Sequence, residues 1–96
     1  MKSRHEYIQF LHRKIDEWNL EIDRLVGLKN QIEEDSKTEL NAQIYSLTQK
    51  RTEIEQQLQE ITATSADAWD DMKSGLDLAW EAMNTAVKSA VSRFIN

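Results

Sequence analysis

The last third of the chain carries an eleven-residue repeat. Residues 67–77 (DAWDDMKSGLD) are followed by residues 78–88 (LAWEAMNTAVK), so an Ala-Trp-x-x-Met unit recurs after eleven positions. Eleven residues span three turns at about 3.67 residues per turn, close to the natural period of an α-helix. The repeat therefore predicts a helix with one nearly straight apolar stripe, which we call the hairpin-packing stripe: Trp69, Met72, Leu76, Trp80, Met83, Val87, Val91 and Phe94.

This stripe indicates that the helix packs against another helix. Burying one such side chain contributes about 1.5–3 kcal/mol, whereas ordering each residue of the helix costs about 1–2 kcal/mol. A single helix with one apolar stripe is therefore not stable alone. Small residues beside the stripe would let a second helix backbone approach closely: Gly75, Ala79, Ala82, Ala86 and Ala90.

Two earlier runs have the heptad spacing of a coiled coil, with apolar residues at alternating intervals of three and four. The first run is Ile8, Leu11, Ile15, Trp18, Ile22 and Leu25. The second, with Arg51 at one position of the pattern, is Leu40, Ile44, Leu47, Ile54, Leu58 and Ile61. The chain has no Pro and only two Gly, so few turns are expected. These features predict an all-α protein that forms a single helical coiled-coil domain over residues 1–96.

The polar residues 33–39 join the two heptad runs and allow two interpretations. Ser36 and Glu39 have the spacing of a capping box, which predicts an up-down-up three-helix bundle with an extra turn near residues 34–37. However, neither Gly nor Pro marks this junction, and a helix that ends without a capping residue leaves its last carbonyls unpaired. We therefore favour an antiparallel helical hairpin, with a long first helix over about residues 4–61.

A second boundary follows the long helix. Residues 62–66 lose the apolar period, and Ser65 before Asp67 supplies an N-cap and an acidic first turn. A shorter returning helix is predicted over about residues 66–94.

The lengths of these two helices predict self-association. A helix of nearly sixty residues would be about 85 Å long, and the returning helix would cover only half of it. The first heptad run would stay exposed, which monomers rarely tolerate. We therefore expect its six residues to form a self-association seam in a homo-oligomer, a dimer or higher, unless the chain folds back near Ser36. Phe10 and Leu20 lie off this seam and suggest further contact there.

The residues also indicate which functions to expect. There is no Cys, no Ser with a companion His, and no third ligand beside His12 and Asp16, so we predict a protein without enzymatic activity, cofactor or metal. The net charge of −5 disfavours nucleic acid as a partner. Uncharged stretches fall short of the roughly 20 residues that cross a bilayer, and a cytoplasmic location is predicted. A peripheral lipid-binding helix is the alternative function, although its polar side is acidic rather than basic.

Several segments resemble a family of small bacterial coiled-coil stress-response proteins. They are the opening MKSRHEYI, the segment IDEWNLEIDRL at residues 15–25, the segment at residues 54–61, and the block SADAWDDMKSGLDLAW at residues 65–80 with the Ser-rich ending after it. This resemblance implies a cytoplasmic, non-enzymatic protein linked to stress. Together with the helical pattern, it leads us to expect a structural or interaction protein, such as a stress-linked scaffold or protectant.

Overall fold

The computed structural model describes residues 3–95, which form three α-helices joined by short turns. Helix α1 spans Arg4–Gly27, α2 spans Glu34–Ala63 and α3 spans Ala66–Phe94, with a 3-10 turn at Leu28–Asn30 after α1. The bundle is 51 Å long and 18 by 16 Å across. The all-α fold is confirmed, and α3 has the bounds predicted from the eleven-residue repeat.

The helices run up, down and up. Arg4 at the start of α1 bonds to backbone carbonyls at the end of α2, for example to the Thr64 carbonyl at 2.6 Å. Arg93 near the end of α3 pairs with Glu39 near the start of α2 at 2.6 Å. Thus α1 and α3 lie parallel to each other, and both are antiparallel to α2.

The structure corrects the continuous helix over residues 4–61, because α1 ends at Gly27 and the chain reverses over residues 28–33. The 3-10 turn supplies donors at the end of α1, because the amide of Leu28 donates to the carbonyls of Leu25 and Val26. Within the turn itself, the amide of Gln31 donates to the Leu28 carbonyl at 2.8 Å. Within residues 3–95 no residue has a positive φ, so this turn needs no left-handed cap.

The arrangement is therefore the three-helix bundle, but its turn lies earlier than residues 34–37. Ser36 belongs to the first turn of α2, whose N-cap is Glu33. The capping box that the structure does contain is at the start of α1, where Ser3 and Glu6 each bond to the other's backbone amide.

All three helices contribute to one core, and the heptad positions of α1 and α2 supply most of it. The buried residues are Tyr7, Leu11, Ile15, Trp18, Ile22 and Leu25 from α1, Leu40, Leu47, Ile54, Leu58 and Ile61 from α2, and Leu76, Met83, Val87 and Ala90 from α3. The early turn lets the chain cover its own first heptad run. The bare seam that predicted self-association is therefore absent from the folded chain.

Candidate functional site

The outer face formed by α1 and α3 carries the most distinctive surface features of the molecule. Near the start of α1, two aromatic pairs join these parallel helices. The ring of Tyr7 meets Trp69 edge to face at 5.5 Å, and the ring of Phe10 meets Trp80 in the same way at 5.1 Å. Trp69 and Trp80 are aligned because they are eleven residues apart on α3. We call these four residues the aromatic cluster.

Cationic side chains of the same chain lie over the aromatic cluster. The Lys73 ammonium is 4.8 Å from the centre of the Tyr7 ring, and the Lys14 ammonium is 5.7 Å from that of Phe10. The Arg4 guanidinium lies 5.8 Å from the Trp69 ring. Such contacts are attractive because the ring faces carry partial negative charge. The cluster is therefore already occupied by the protein's own cations, and it holds α1 against α3.

A hydrogen-bond network centred on Asp77 of α3 links Tyr7 of α1 to Lys73 and Trp80 of α3. The Tyr7 hydroxyl donates to Asp77 Oδ1 at 2.5 Å, Lys73 Nζ pairs with Oδ2 at 3.0 Å, and Trp80 Nε1 lies 3.4 Å from Oδ1. Burial alone would raise the pKa of Asp77, but the hydrogen bonds from Tyr7 and Lys73 and the charge of Lys73 outweigh it and hold that pKa below its usual value. Burial and the neighbouring Asp77 carboxylate raise the pKa of Tyr7 well above its usual value.

Beyond the aromatic cluster, α1 and α3 enclose a groove of about 620 Å³, which we call the α1–α3 groove. The buried Trp18 and Val87 side chains border it, and Leu20 stands on its α1 wall with 65% of its surface exposed. Among residues 3–95, the groove is lined by Glu17, Trp18, Leu20, Glu21, Arg24, Asn84, Val87, Lys88, Val91, Ser92 and Ile95. The groove is thus apolar with a charged rim, as in sites that receive another helix.

The two rims of the groove differ in charge. On the α1 rim, Glu17 lies 3.4 Å from Lys14, and Glu21 lies 2.9 Å from Arg24. The side chain of Glu17 is nevertheless 62% exposed. On the α3 rim, Lys88 has no ion pair or hydrogen bond with any side chain within residues 3–95. One rim therefore offers accessible carboxylates, and the other offers a free ammonium group.

Trp18 at this groove also has an unpaired polar atom. Its Nε1 is buried and has no hydrogen-bond acceptor within residues 3–95. Leaving such a donor unpaired costs about 1–3 kcal/mol. The burial of the Trp18 ring, which is only 1% exposed, must offset this cost.

A smaller groove of about 430 Å³ lies between α1 and α2 and is more polar. It brings His12 and Asp16 of α1 near Glu55 and Gln59 of α2. Within residues 3–95, no three His, Asp or Glu side chains are grouped closely enough to hold a metal ion.

The structure brings the predicted self-association seam and the hairpin-packing stripe together in one core. Five residues of the predicted self-association seam are buried inside the chain, while Ile8 is half-buried and Tyr7 occupies the buried position beside it. All eight residues of the hairpin-packing stripe belong to the core or pack directly against it. The groove and its charged rims were not predicted, although Leu20 had stood out because it lies off the seam.

Comparisons with known proteins do not identify a relative. No protein-family model matches the chain, and no curated protein or solved structure matches it. In the part of the chain that the structure describes, none of the helices combines the length and the apolar character that crossing a membrane requires. The surfaces described above are therefore the basis for a functional proposal.

Proposed function

We propose that this protein is a non-enzymatic interaction protein that associates with itself and serves as a scaffold or protectant in a stress response. The observation that supports self-association most directly is the solvent-open apolar α1–α3 groove, with Leu20 65% exposed on its wall. Apolar surface at a concave site is typical of contacts between polypeptides. The stress link follows from the resemblance of the sequence segments alone.

The internal packing favours this function over binding to a lipid surface. A peripheral lipid-binding helix needs its apolar stripe free to enter the acyl region of the membrane. Here Leu76, Met83 and Val87 of the hairpin-packing stripe are buried, and the rest of the stripe packs against them and their neighbours. Lipid binding by this stripe would require α3 to leave the bundle.

The mass of the full chain in solution tests self-association. Light scattering at protein concentrations from about 1 to about 500 μM should show the mass rise from that of the 11.2 kDa chain to a multiple of it. A mass that stays monomeric throughout this range would contradict the proposal. In parallel, anionic phosphatidylserine vesicles should leave the Trp emission unchanged, whereas a blue shift on adding vesicles would favour the lipid-binding function.

A further inference from the structure

We infer that a second copy of the chain covers the α1–α3 groove, and that a twofold axis parallel to the helices relates the two copies. This inference rests on the proposed self-association and specifies its surface and geometry. It is based on three observations: the positions of the rim charges along the long axis of the bundle, the unpaired Lys88, and the size of the side of the bundle that α1 and α3 form.

The contacts between α1 and α3 fix which residues lie at the same height. Tyr7 contacts both Trp69 and Asp77, and Phe10 contacts Trp80, so each residue of α1 lies beside the stretch of α3 that is 62 to 70 positions later. By these offsets, Lys88 lies level with the stretch of α1 that begins at Trp18 and includes Glu21. It is therefore level with the stretch of α1 that holds the acidic rim.

The axis direction follows from these heights. An axis parallel to the helices places α1 of each copy over α3 of the other without changing any height, so Lys88 of one copy faces the acidic rim of the other, which holds Glu17 and Glu21. An axis perpendicular to the helices in the contact plane would instead place α3 antiparallel over α3, and would bring the two Lys88 side chains together if it lay at the height of Lys88. Opposite charges attract and like charges repel, so charge complementarity favours the parallel arrangement over a perpendicular axis at Lys88.

The contact between Lys88 and the acidic rim occurs twice in the interface, because twofold symmetry repeats every contact between the chains once. Each Leu20 then enters the apolar groove between its own chain and the α3 wall of the other copy, where Val91 and Ile95 lie. The whole bundle is 51 Å long and 18 Å wide, and the side formed by α1 and α3 extends along most of it. This side is large enough for the roughly 800 Å² per partner that a standard interface buries.

A matched pair of variants tests whether the groove is the interface. Leu20 and Leu78 are 65% and 71% exposed, but Leu78 lies outside the groove. Leu20→Glu should raise the dissociation constant of the dimer about tenfold or more, as measured by sedimentation equilibrium, because it buries a charge in the interface. Leu78→Glu should change it less than about twofold. Circular dichroism should show wild-type helicity for both variants, since both side chains are exposed.

The outcomes separate this inference from the proposed function. A wild-type dimer that Leu78→Glu disrupts and Leu20→Glu does not would keep self-association and overturn the groove as its surface. A wild-type chain that is monomeric at every concentration would overturn both.

Charge reversal at Lys88 tests the axis. In the parallel arrangement, Lys88→Glu should weaken the dimer about threefold to tenfold, and adding Glu17→Lys should restore the wild-type dissociation constant within about twofold. In the perpendicular arrangement with the axis at Lys88, Lys88→Glu would replace one pair of like charges by another and leave the dissociation constant within about twofold of the wild-type value. A Lys88→Glu dimer at least as tight as the wild type, or a double variant that fails to recover, would overturn the parallel geometry.

Discussion

Tyr7 makes both an apolar and a polar contact between α1 and α3. Its ring packs against Trp69 while its hydroxyl donates to Asp77 at 2.5 Å. Tyr7→Phe keeps the ring and removes the donor, leaving a partly buried carboxylate with fewer partners. We expect the free energy of unfolding in urea to fall by about 1–2 kcal/mol.

Tyr45 provides the matched control for this variant. It is 66% exposed, and its hydroxyl accepts a hydrogen bond from Gln49 at 2.7 Å on the surface of α2. Tyr45→Phe should change the free energy of unfolding by less than about 0.5 kcal/mol. Equal losses in the two variants would show that the Asp77 network contributes no special stability.

Asp77 should also make stability depend on pH in the acid range. Its pKa is lower in the folded protein than in the unfolded chain, where an aspartate has a pKa of about 3.9. The resulting stabilisation is present above about pH 4 and is lost as pH falls through the folded-state pKa. Urea unfolding at pH 7 and pH 3 should therefore show a smaller loss of stability on acidification for Asp77→Asn than for the wild type.

A carboxylate outside the Asp77 network provides the control for this measurement. Asp71 is exposed on α3 and pairs with no cation within residues 3–95. Asp71→Asn should lose as much stability as the wild type between pH 7 and pH 3. If Asp77→Asn also matches the wild type, the network does not set the acid response.

At the scale of the helices, the end of α2 shows how a distant residue can replace a local cap. The last carbonyls of α2 accept hydrogen bonds from Arg4 Nη2: Ile61 at 2.6 Å, Thr62 at 3.0 Å and Thr64 at 2.6 Å. The positive charge also lies at the negative end of the helix. No glycine is needed there, because α1 supplies the cap.

Removing this cap should destabilise the bundle. Arg4→Gln leaves the carbonyls of residues 61–64 without their charged donor, and we expect a loss of about 1–2 kcal/mol in thermal or urea unfolding. Arg13, an exposed residue of the same helix without a partner within residues 3–95, is the control. Arg13→Gln should cost less than about 0.5 kcal/mol, and a similar cost in both variants would contradict the capping role of Arg4.

The sequence predicted some helix boundaries well and others poorly, for a physical reason. The bounds of α3 follow from a local pattern, since the repeat lies within the helix that it predicts. Ser65 is at the predicted N-cap position, although its side chain makes no capping hydrogen bond. The turn after Gly27 could not be found by searching for a capping residue, because a 3-10 turn satisfies the carbonyls instead. The cap at the end of α2 was equally hidden, because its donor, Arg4, lies 60 positions from Thr64.

At the scale of the molecule, the turn after Gly27 determines which apolar residues are exposed, and the sequence analysis did not place a turn there. The heptad pattern identified the apolar residues of α1 correctly, since five of its six residues are buried. It could not show whether α2 and α3 or a second chain would cover them, because both give the same periodicity. The groove depends on the relative heights of α1 and α3, and side-chain contacts set those heights rather than spacing along the chain.

The shape of the molecule in solution distinguishes a dimer of three-helix bundles from a chain with a continuous first helix. Side-by-side dimers with the proposed axis keep the 51 Å length of a single bundle and double its mass, so small-angle X-ray scattering should give a maximum dimension of about 60 Å once side chains and hydration are included. A chain with a continuous first helix would instead extend to about 85 Å. A maximum dimension above about 80 Å would therefore contradict both the reversal after Gly27 and the parallel dimer. The dilute monomer should retain the same length with a smaller cross-section, because the helices define the long axis and association widens the molecule across it.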